Sequence, residues 1–224
     1  MSCVSESEGL PFGMYSEAEE RANFITHALG FVLSVWGAVY LSMTAFQYHG
    51  WGRGVACILY TASLSTVYAM STLSHGPFDE RRRALFRSLD QGFIYVLIAG
   101  SFTPLAVAYL PAIVCWCILG AMWMIALTGF VAKVCFAHQV NAVSVWVYVL
   151  LGWMPILATP WLLGVVPING LLLGLAGGVC YTAGTIFLVF DHRIAYFHAL
   201  WHVLVMAGSA LHFLAILGYV AQMP

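Results

Sequence analysis

Charged side chains are scarce in this sequence. Aspartate, glutamate, lysine and arginine make up 8% of the 224 residues, and the formal net charge is −1, whereas an ordinary soluble domain is about one-quarter charged. So low a charged fraction excludes a water-soluble globular protein. Nothing suggests nucleic-acid binding either, because the few basic residues form no stripe that could follow a phosphate backbone.

Signals for export and for thiol chemistry are also missing. The chain begins Met-Ser-Cys-Val-Ser-Glu-Ser-Glu, with no basic region ahead of a short apolar stretch, so we expect no removable signal peptide. The six cysteines form no CxxC pair, which favours small buried hydrophobic residues over a disulfide framework or a thiolate metal site. No G-x-S-x-G, Walker or H-E-x-x-H motif is found.

Apolar residues, in contrast, make up 62% of the chain, and they fall into seven long uncharged runs. A helix needs about 20 such residues to cross the hydrocarbon core of a membrane. The runs are Phe24 to Phe46, Val55 to Leu73, Gly92 to Leu110, Ala112 to Ala132, Val140 to Leu162, Gly170 to Phe190 and Ala195 to Val220. The sequence therefore predicts an all-α integral membrane protein: a polar segment, residues 1–22, followed by one bundle of seven transmembrane helices, residues 23–224.

The basic residues predict the orientation of this bundle. With the amino terminus in the cytoplasm, seven of the eight lysines and arginines lie on the cytoplasmic side, and only Arg53 lies outside. The seven are Arg21, Arg81, Arg82, Arg83, Arg87, Lys133 and Arg193. We therefore expect a multi-pass protein of the plasma (bacterial inner) membrane with its carboxyl terminus outside.

Small residues and prolines mark particular helices. In the sixth helix Gly170, Gly174 and Gly178 are spaced four apart, which favours close backbone contact, either within the bundle or across a homodimer. Three prolines inside runs are expected to kink their helices. They are Pro104, Pro155 and Pro160.

Ionisable residues inside the predicted spans gather near the cytoplasmic face. His198 and His202 are four residues apart, which puts both rings on one face of the seventh helix, about 6 Å apart along its axis. His75 ends the second helix on the same side, one turn after Ser71, and Asp90 opens the third. Three neutral imidazoles with a fourth position left to water are typical of catalytic zinc. We predict His75, His198 and His202 as zinc ligands, and Asp90 and Ser71 as catalytic residues, with Asp90 taking the proton of the zinc-bound water.

The other histidines are assigned by their depth. Asn23 and His27 begin the first helix in the same layer and are expected to support the ligands, although His27 could also bind the metal directly. His212 lies about 15 Å further along its helix than His202 and is expected to be a hydrogen-bonded core residue. The remaining three fall in predicted connections and are expected to be solvated: His49, His138 and His192. The alternative for the whole cluster is a set of unrelated polar contacts between helix ends.

Four segments around these residues resemble the hemolysin III branch of the progestin and adipoQ receptor family, which includes the adiponectin receptors and is related to alkaline ceramidases. They are Glu20-Arg-Ala-Asn23-Phe-Ile-Thr26-His27, Ser71-Thr-Leu-Ser-His75, Leu89-Asp90 followed by Ile98-Ala-Gly-Ser-Phe-Thr-Pro104, and His198-Ala-Leu-Trp-His202 ahead of Gly208-Ser209. The resemblance extends from about Glu20 to about Phe213.

The resemblance implies seven helices, a cytoplasmic amino terminus and a zinc ion held by His75, His198 and His202. It also implies that Asp90 contacts the zinc-bound water and that Ser71 belongs to the same Ser-x3-His element. Two positions depart from the usual bacterial pattern, which has tyrosine where this chain has Ser74 and histidine where it has Gln91. Both change the surroundings of the site but remove no predicted ligand.

Three functions are consistent with this pattern. The leading hypothesis is a zinc-dependent, ceramidase-like hydrolase of a lipid amide bond that uses zinc-bound hydroxide. The second is a membrane-homeostasis or lipid-sensing receptor with structural zinc and a membrane lipid or fatty acid as ligand. The third is a pore-forming cytolysin, which the sequence supports poorly because no continuous row of polar residues could line a channel.

Overall fold

Seven helices of the structure are long and apolar enough to cross a membrane. The structure, a computed structural model, describes residues 15–136 and 145–222, and no β-strand occurs in these two ranges. The seven helices are α1 (Glu17–His49), α2 (Trp51–Ser74), α3 (Glu80–Tyr109), α4 (Ala112–Cys135), α5 (Val145–Leu162), α6 (Ile168–Val189) and α7 (Phe197–Ala221). The prediction of an all-α, multi-pass membrane protein is confirmed.

The helix α1 begins well before its apolar run. Ser16 caps it: the side chain of Ser16 accepts a hydrogen bond from the backbone N–H of Glu19 (3.3 Å), and the Glu19 carboxylate accepts one from the backbone N–H of Ser16 (3.0 Å). This reciprocal capping satisfies two backbone donors that the first turn would otherwise leave unpaired. The extra turns therefore bring polar side chains of the amino-terminal segment into the bundle.

The start of α3 differs from the prediction. We expected Asp90 to open this helix, but it begins at Glu80, capped by the side chain of Asp79, which accepts from the backbone N–H of Arg82 (3.1 Å). Asp90 therefore lies ten residues inside α3. The apolar run marks the part of the helix that suits hydrocarbon, whereas the helix itself extends through a charged stretch that begins at its cap.

Two helices depart from regular α geometry. In α5 a 3₁₀ segment, Met154–Ala158, interrupts the helix at Pro155, and α-helix resumes over Thr159–Leu162. Pro104, in contrast, lies inside a continuous α3. The last turn of α7, Leu217–Ala221, is π-helical.

The interior consists of two apolar clusters that share α3. One joins α3, α4 and α5 around Tyr95, Met122 and Leu151. The other joins α1, α2, α3 and α7 and includes Leu41 and Tyr60, both fully buried. Large apolar side chains on the outer faces of the helices remain exposed, as expected for a surface that meets lipid.

The glycines that bring helices together are not all the predicted ones. A Cβ on Gly174 or Gly178 would meet nothing within 4 Å, whereas one on Gly177 would lie 2.3 Å from Nδ1 of His212 and 3.1 Å from the carbonyl oxygen of Gly208. Gly170 does approach α7 closely, at Tyr219. The buried glycines of α6 are Gly170, Gly177 and Gly184. A seven-residue spacing drifts by only about 20° around the helix at each step, so all three glycines stay on the face that packs against α7.

Candidate metal centre

Three histidines from two helices converge at one end of the bundle. His75 follows the last residue of α2, and His198 and His202 lie one turn apart at the start of α7. One ring nitrogen from each lies within 4.8 Å of those of the other two. The ring centroids are 5.1 Å apart for His75 and His198, 5.4 Å for His75 and His202, and 4.6 Å for the pair on α7. These three side chains could hold one metal ion between them.

In each of the three rings, Nδ1 forms a hydrogen bond with another residue of the protein. Nδ1 of His75 lies 2.7 Å from a carboxylate oxygen of Glu20, and Nδ1 of His198 lies 2.8 Å from one of Asp191. Since carboxylates only accept, both imidazoles donate from Nδ1. In a neutral imidazole this leaves the Nε2 lone pair available as a metal ligand.

The third ring, His202, is fixed by a hydroxyl group. Its Nδ1 lies 3.0 Å from the Thr26 hydroxyl. That hydroxyl donates its single proton to the backbone carbonyls of Ala22 and Asn23, both at 2.9 Å, and can therefore only accept from His202. All three ligands are thus held in the tautomer that presents Nε2.

The two carboxylates are themselves held by other groups. Glu20 also pairs with the guanidinium of Arg83, which in addition donates to the backbone carbonyl of Ser74 (3.1 Å). Asp191 accepts a hydrogen bond from the Tyr15 hydroxyl at 2.7 Å. Burial alone would raise the pKa of Asp191, but the hydrogen bonds from His198 and Tyr15 hold it below its usual value. Asp191 therefore remains an ionised acceptor.

The start of α1 is also tied directly to the start of α7. Tyr196, just before α7, has a left-handed backbone with φ of 63° and donates its N–H to the Glu19 carboxylate (2.9 Å). The Tyr15 ring lies over the site, with its centroid 5.1 Å from that of His198 and 6.2 Å from that of His75. The amino-terminal turns thus cover the metal centre and fix the direction in which its ligands point.

Neither of the two predicted catalytic residues belongs to the group of three converging histidines. Ser71 is fully buried, and its hydroxyl has no hydrogen-bond partner among the described residues. The Asp90 carboxylate is within interaction range of that hydroxyl, although the two do not form a hydrogen bond of standard geometry. Asp90 is partly accessible and faces a cavity.

The structure places the two predicted supporting residues next to His202. The His27 ring stacks on the His202 ring, with centroids 3.5 Å apart and planes 15° apart. His27 is not part of the group of three, and both its ring nitrogens and both side-chain polar atoms of Asn23 are buried without a hydrogen-bond partner in the described ranges. Buried polar atoms of this kind normally find a partner, so this pocket suits a polar or charged occupant.

The remaining described histidines are not part of the group of three, although Nδ1 of His192 lies 3.7 Å from the Asp191 carboxylate. His212 donates from Nδ1 to the carbonyl of Gly208 (2.9 Å) and stacks on Tyr181, as expected of a core residue. His192 is exposed. His49 is the last residue of α1, so the prediction that it falls in a connection is wrong: Gly50 alone, with φ of 69°, joins α1 to α2. His138 lies outside the described residues.

A cavity of about 480 Å³ lies inside the bundle, and it is linked to the three histidines through His27, which lines the cavity and stacks on His202. Asp90 and His27 lie in its wall, and the rest of the wall is mostly apolar side chains of α3, α5, α6 and α7. Along α3 the lining residues recur every three or four positions: Asp90, Ile94, Leu97, Ile98, Ser101, Phe102 and Leu105. One face of α3 therefore runs along the cavity from the metal centre toward the other side of the membrane.

Four residues that hold the ligands were not predicted from the sequence. They are Tyr15, Glu20, Thr26 and Asp191. A signal was available for the two carboxylates, because the chain has only nine acidic residues and an acid that borders an apolar run needs a partner. Thr26 lies in the first segment that resembles the family, but no pattern in the sequence pairs Thr26 or Tyr15 with its partner, which lies on α7 or just before it.

Comparison with known proteins gives consistent matches over almost the whole chain. The family model described as "Haemolysin-III related" matches residues 15–213. Hemolysin-3 of Bacillus cereus is 35% identical over 202 residues, which cover 90% of this chain and 92% of the relative. The Hemolysin-3 homolog of Bacillus subtilis is 34% identical over 211 residues, covering 94% and 99%. The human Monocyte to macrophage differentiation factor is 26% identical over 215 residues, covering 92% and 86%. No solved structure shows significant similarity.

Proposed function

The chain belongs to the haemolysin III-related family, and we propose that it is a zinc-dependent hydrolase of an amide bond in a membrane lipid. The observation that carries this proposal is the convergence of three imidazoles, each with Nδ1 held by a protein acceptor, next to His27, which together with Asp90 lines an apolar cavity. A metal centre at this place could act on a lipid whose chain lies in the cavity.

The ligand set supports zinc. Neutral imidazole nitrogens suit this metal, and three protein ligands leave its fourth position open, as in catalytic sites. The buried polar atoms of Ser71, Asn23 and His27, which have no partner within the described residues, are further support for a polar occupant. When bound, zinc supplies a Lewis acid that polarises a carbonyl and makes water more acidic.

The side chains of the protein account for the remaining steps. Water adds to the amide carbonyl, the C–N bond breaks, and a carboxylic acid and an amine are released. Asp90 takes a proton from the attacking water and passes it to the leaving nitrogen, while the Ser71 hydroxyl, which has no partner within the described residues, is available to hydrogen-bond the bound water or substrate. The apolar walls of the cavity bind the acyl chain and exclude water from the reaction.

We also propose that the site faces the cytoplasm. The support is the excess of basic residues at the ends of the helices where the three histidines converge, including Arg81, Arg82 and Arg87. A substrate would then enter from the inner leaflet of the plasma membrane.

Metal content and turnover test this proposal together. Purified protein, freed of metal and reloaded with zinc, is incubated with N-acyl sphingoid lipids and N-acylethanolamines. We expect release of fatty acid that chelation abolishes, and about one equivalent of zinc per chain in the parent protein. His198→Ala should lose that zinc, whereas His49→Ala, at the opposite end of α1 from the site, should keep it. Full zinc retention by His198→Ala, or turnover that survives chelation, would contradict the proposal.

The same cavity also supports the lipid-sensing alternative, in which the metal is structural. A protein that binds fatty acid or lipid but turns over none of these substrates, with binding unchanged in Asp90→Asn, would favour a sensor.

The printed names of the two Bacillus relatives raise membrane lysis as a further alternative. Release of a trapped dye from vesicles that contain the protein, compared with empty vesicles, would favour lysis over hydrolysis.

A further inference from the structure

Arg87 is a half-buried cation close to the metal centre. It is partly accessible, and it makes no hydrogen bond or ion pair with any residue that the structure describes. The two other half-buried arginines are both engaged: Arg83 with Glu20 and Arg53 with the carbonyl of Val220. A guanidinium has five N–H donors, so Arg87 has strong hydrogen-bonding capacity that the described protein does not use.

The carboxylates of the site are already committed to other donors. Glu20 accepts from His75 and Arg83, and Asp191 accepts from His198 and Tyr15. Asp90 lies three residues after Arg87 on the same helix, close enough for the two charges to interact, although the described residues show no ion pair between them. Glu20 and Asp191 are therefore committed to other donors, and Asp90 alone does not use the five N–H donors of Arg87.

The position of Arg87 on α3 aligns it with the cavity. Arg87 lies one turn before Asp90, and seven and fourteen residues before the cavity-lining Ile94 and Ser101, so all four fall on one face of the helix. Arg87 is also close enough for its charge to oppose the effect of burial on the pKa of Tyr15, which covers the metal centre. On this face of α3, Arg87 thus comes one turn before the cavity wall, which begins at Asp90 and continues with mostly apolar residues.

This order matches the parts of a lipid. A chain in the cavity would lie along the apolar stretch of α3, a scissile amide would lie at Asp90, and the head group would reach Arg87, about 4.5 Å from Asp90 along the helix axis. A cation in this layer of a membrane is stabilised by anionic head groups, and arginine binds phosphate through two parallel hydrogen bonds.

We propose that Arg87 binds an anionic phosphate group carried by the lipid, attached a few bonds from the amide on its amine side. This assignment rests on the proposed function, because it takes Asp90 as the position of the scissile amide. It makes Arg87 a specificity-determining residue: the preferred ligand is a phosphorylated N-acyl lipid rather than a neutral one. Free phosphate has the same chemistry, so the test must separate the two.

The experiment measures binding without turnover, on full-length protein kept free of metal by chelation in nanodiscs of neutral lipid. The probes are an N-acylsphingosine, its phosphomonoester, and inorganic phosphate as a competitor. We expect the parent to bind the phosphomonoester at least about tenfold more tightly than the neutral lipid, the effect of one charge-assisted pair. Arg87→Gln should lose this preference while its affinity for the neutral lipid stays within about twofold. Arg81→Gln, the same charge change at an exposed position of α3, should keep it.

Three results would overturn the assignment: no preference in the parent, an equal loss for both lipids in Arg87→Gln, or displacement of the phosphomonoester by equimolar inorganic phosphate, which would indicate a site for free anions. A preference that depends on Arg87, without any hydrolysis, would leave the assignment standing and remove the hydrolase proposal. If Arg87→Gln hydrolyses the neutral lipid as fast as the parent and the parent shows no binding preference, the hydrolase proposal stands and the assignment of Arg87 falls.

Discussion

The Thr26 hydroxyl accepts a hydrogen bond from Nδ1 of His202 at 3.0 Å, across 176 positions of the sequence. Its own proton is committed to the backbone of α1, so a single threonine fixes both the tautomer and the direction of a ligand on the last helix. Outer partners of this kind tune metal affinity.

Thr26→Val should therefore weaken zinc binding while it preserves the shape of the side chain. We expect affinity, measured by competition with a chromogenic chelator, to fall about tenfold or more, and Thr26→Ser to restore most of it. Thr66→Val serves as the control, because the Thr66 hydroxyl bonds only to its own helix, at the carbonyl of Ala62. Equal zinc affinity in the parent and in Thr26→Val would show that the hydrogen bond between Thr26 and His202 does not contribute to zinc binding.

Asp90→Asn should separate catalysis from metal binding. Asp90 is not one of the three residues whose ligand atoms converge, so bound zinc should be unchanged. Turnover should fall at least about a hundredfold because the amide cannot accept a proton. Loss of zinc from this variant would instead make Asp90 a ligand.

Removal of the metal should destabilise the bundle. The three histidines join α2 to α7, and a ligand that binds only the folded state stabilises it by about 2.7 kcal/mol when present at a hundred times its Kd. We expect chelation to lower the melting temperature in detergent and zinc to restore it. His75→Ala should melt at the same temperature with and without zinc, and any zinc-dependent shift in that variant would argue against a shared site.

Substitutions of Glu20 and Arg83, which form an ion pair, should have coupled effects on the free energy of unfolding. Both side chains are largely buried, at 17% and 21% exposure. Glu20→Gln removes a charge that holds His75 and Arg83 together, so the double-mutant cycle with Arg83→Gln should give a coupling energy of about 1 kcal/mol or more in unfolding experiments. Additive effects of the two substitutions would mean that the ion pair contributes little.

Gly177→Ala tests the contact between α6 and α7. Its Cβ would lie 2.3 Å from the His212 ring and 3.1 Å from the Gly208 carbonyl, so one of them must shift, whereas Gly174→Ala meets open space. We expect Gly177→Ala to cost about 1–3 kcal/mol of stability and Gly174→Ala to leave it nearly unchanged. Equal melting temperatures for the two variants would contradict this arrangement of α6 against α7.

The sequence predicts the seven spans because each one requires a long run of consecutive apolar residues, and such runs can be read directly from the sequence. It predicts the pairing of His198 with His202 because four residues make one helical turn. It misplaces Asp90 at a helix start, since hydropathy marks the membrane-embedded part of a helix and not its cap. It misses Thr26 and Tyr15 because their partners lie 176 residues or more away, and no local pattern encodes such a distance. The orientation in the membrane remains a prediction.

The bond between Thr26 and His202 has a consequence for biosynthesis. The ribosome delivers α1 first and α7 last, so Asn23, Thr26 and His27 enter the bilayer long before the helix that covers them exists. Until α7 arrives, these side chains face lipid or the insertion machinery without their partners. A chain that stops before α7 therefore keeps these polar side chains uncovered on that side of its first helix, at a cost in free energy that the complete chain avoids.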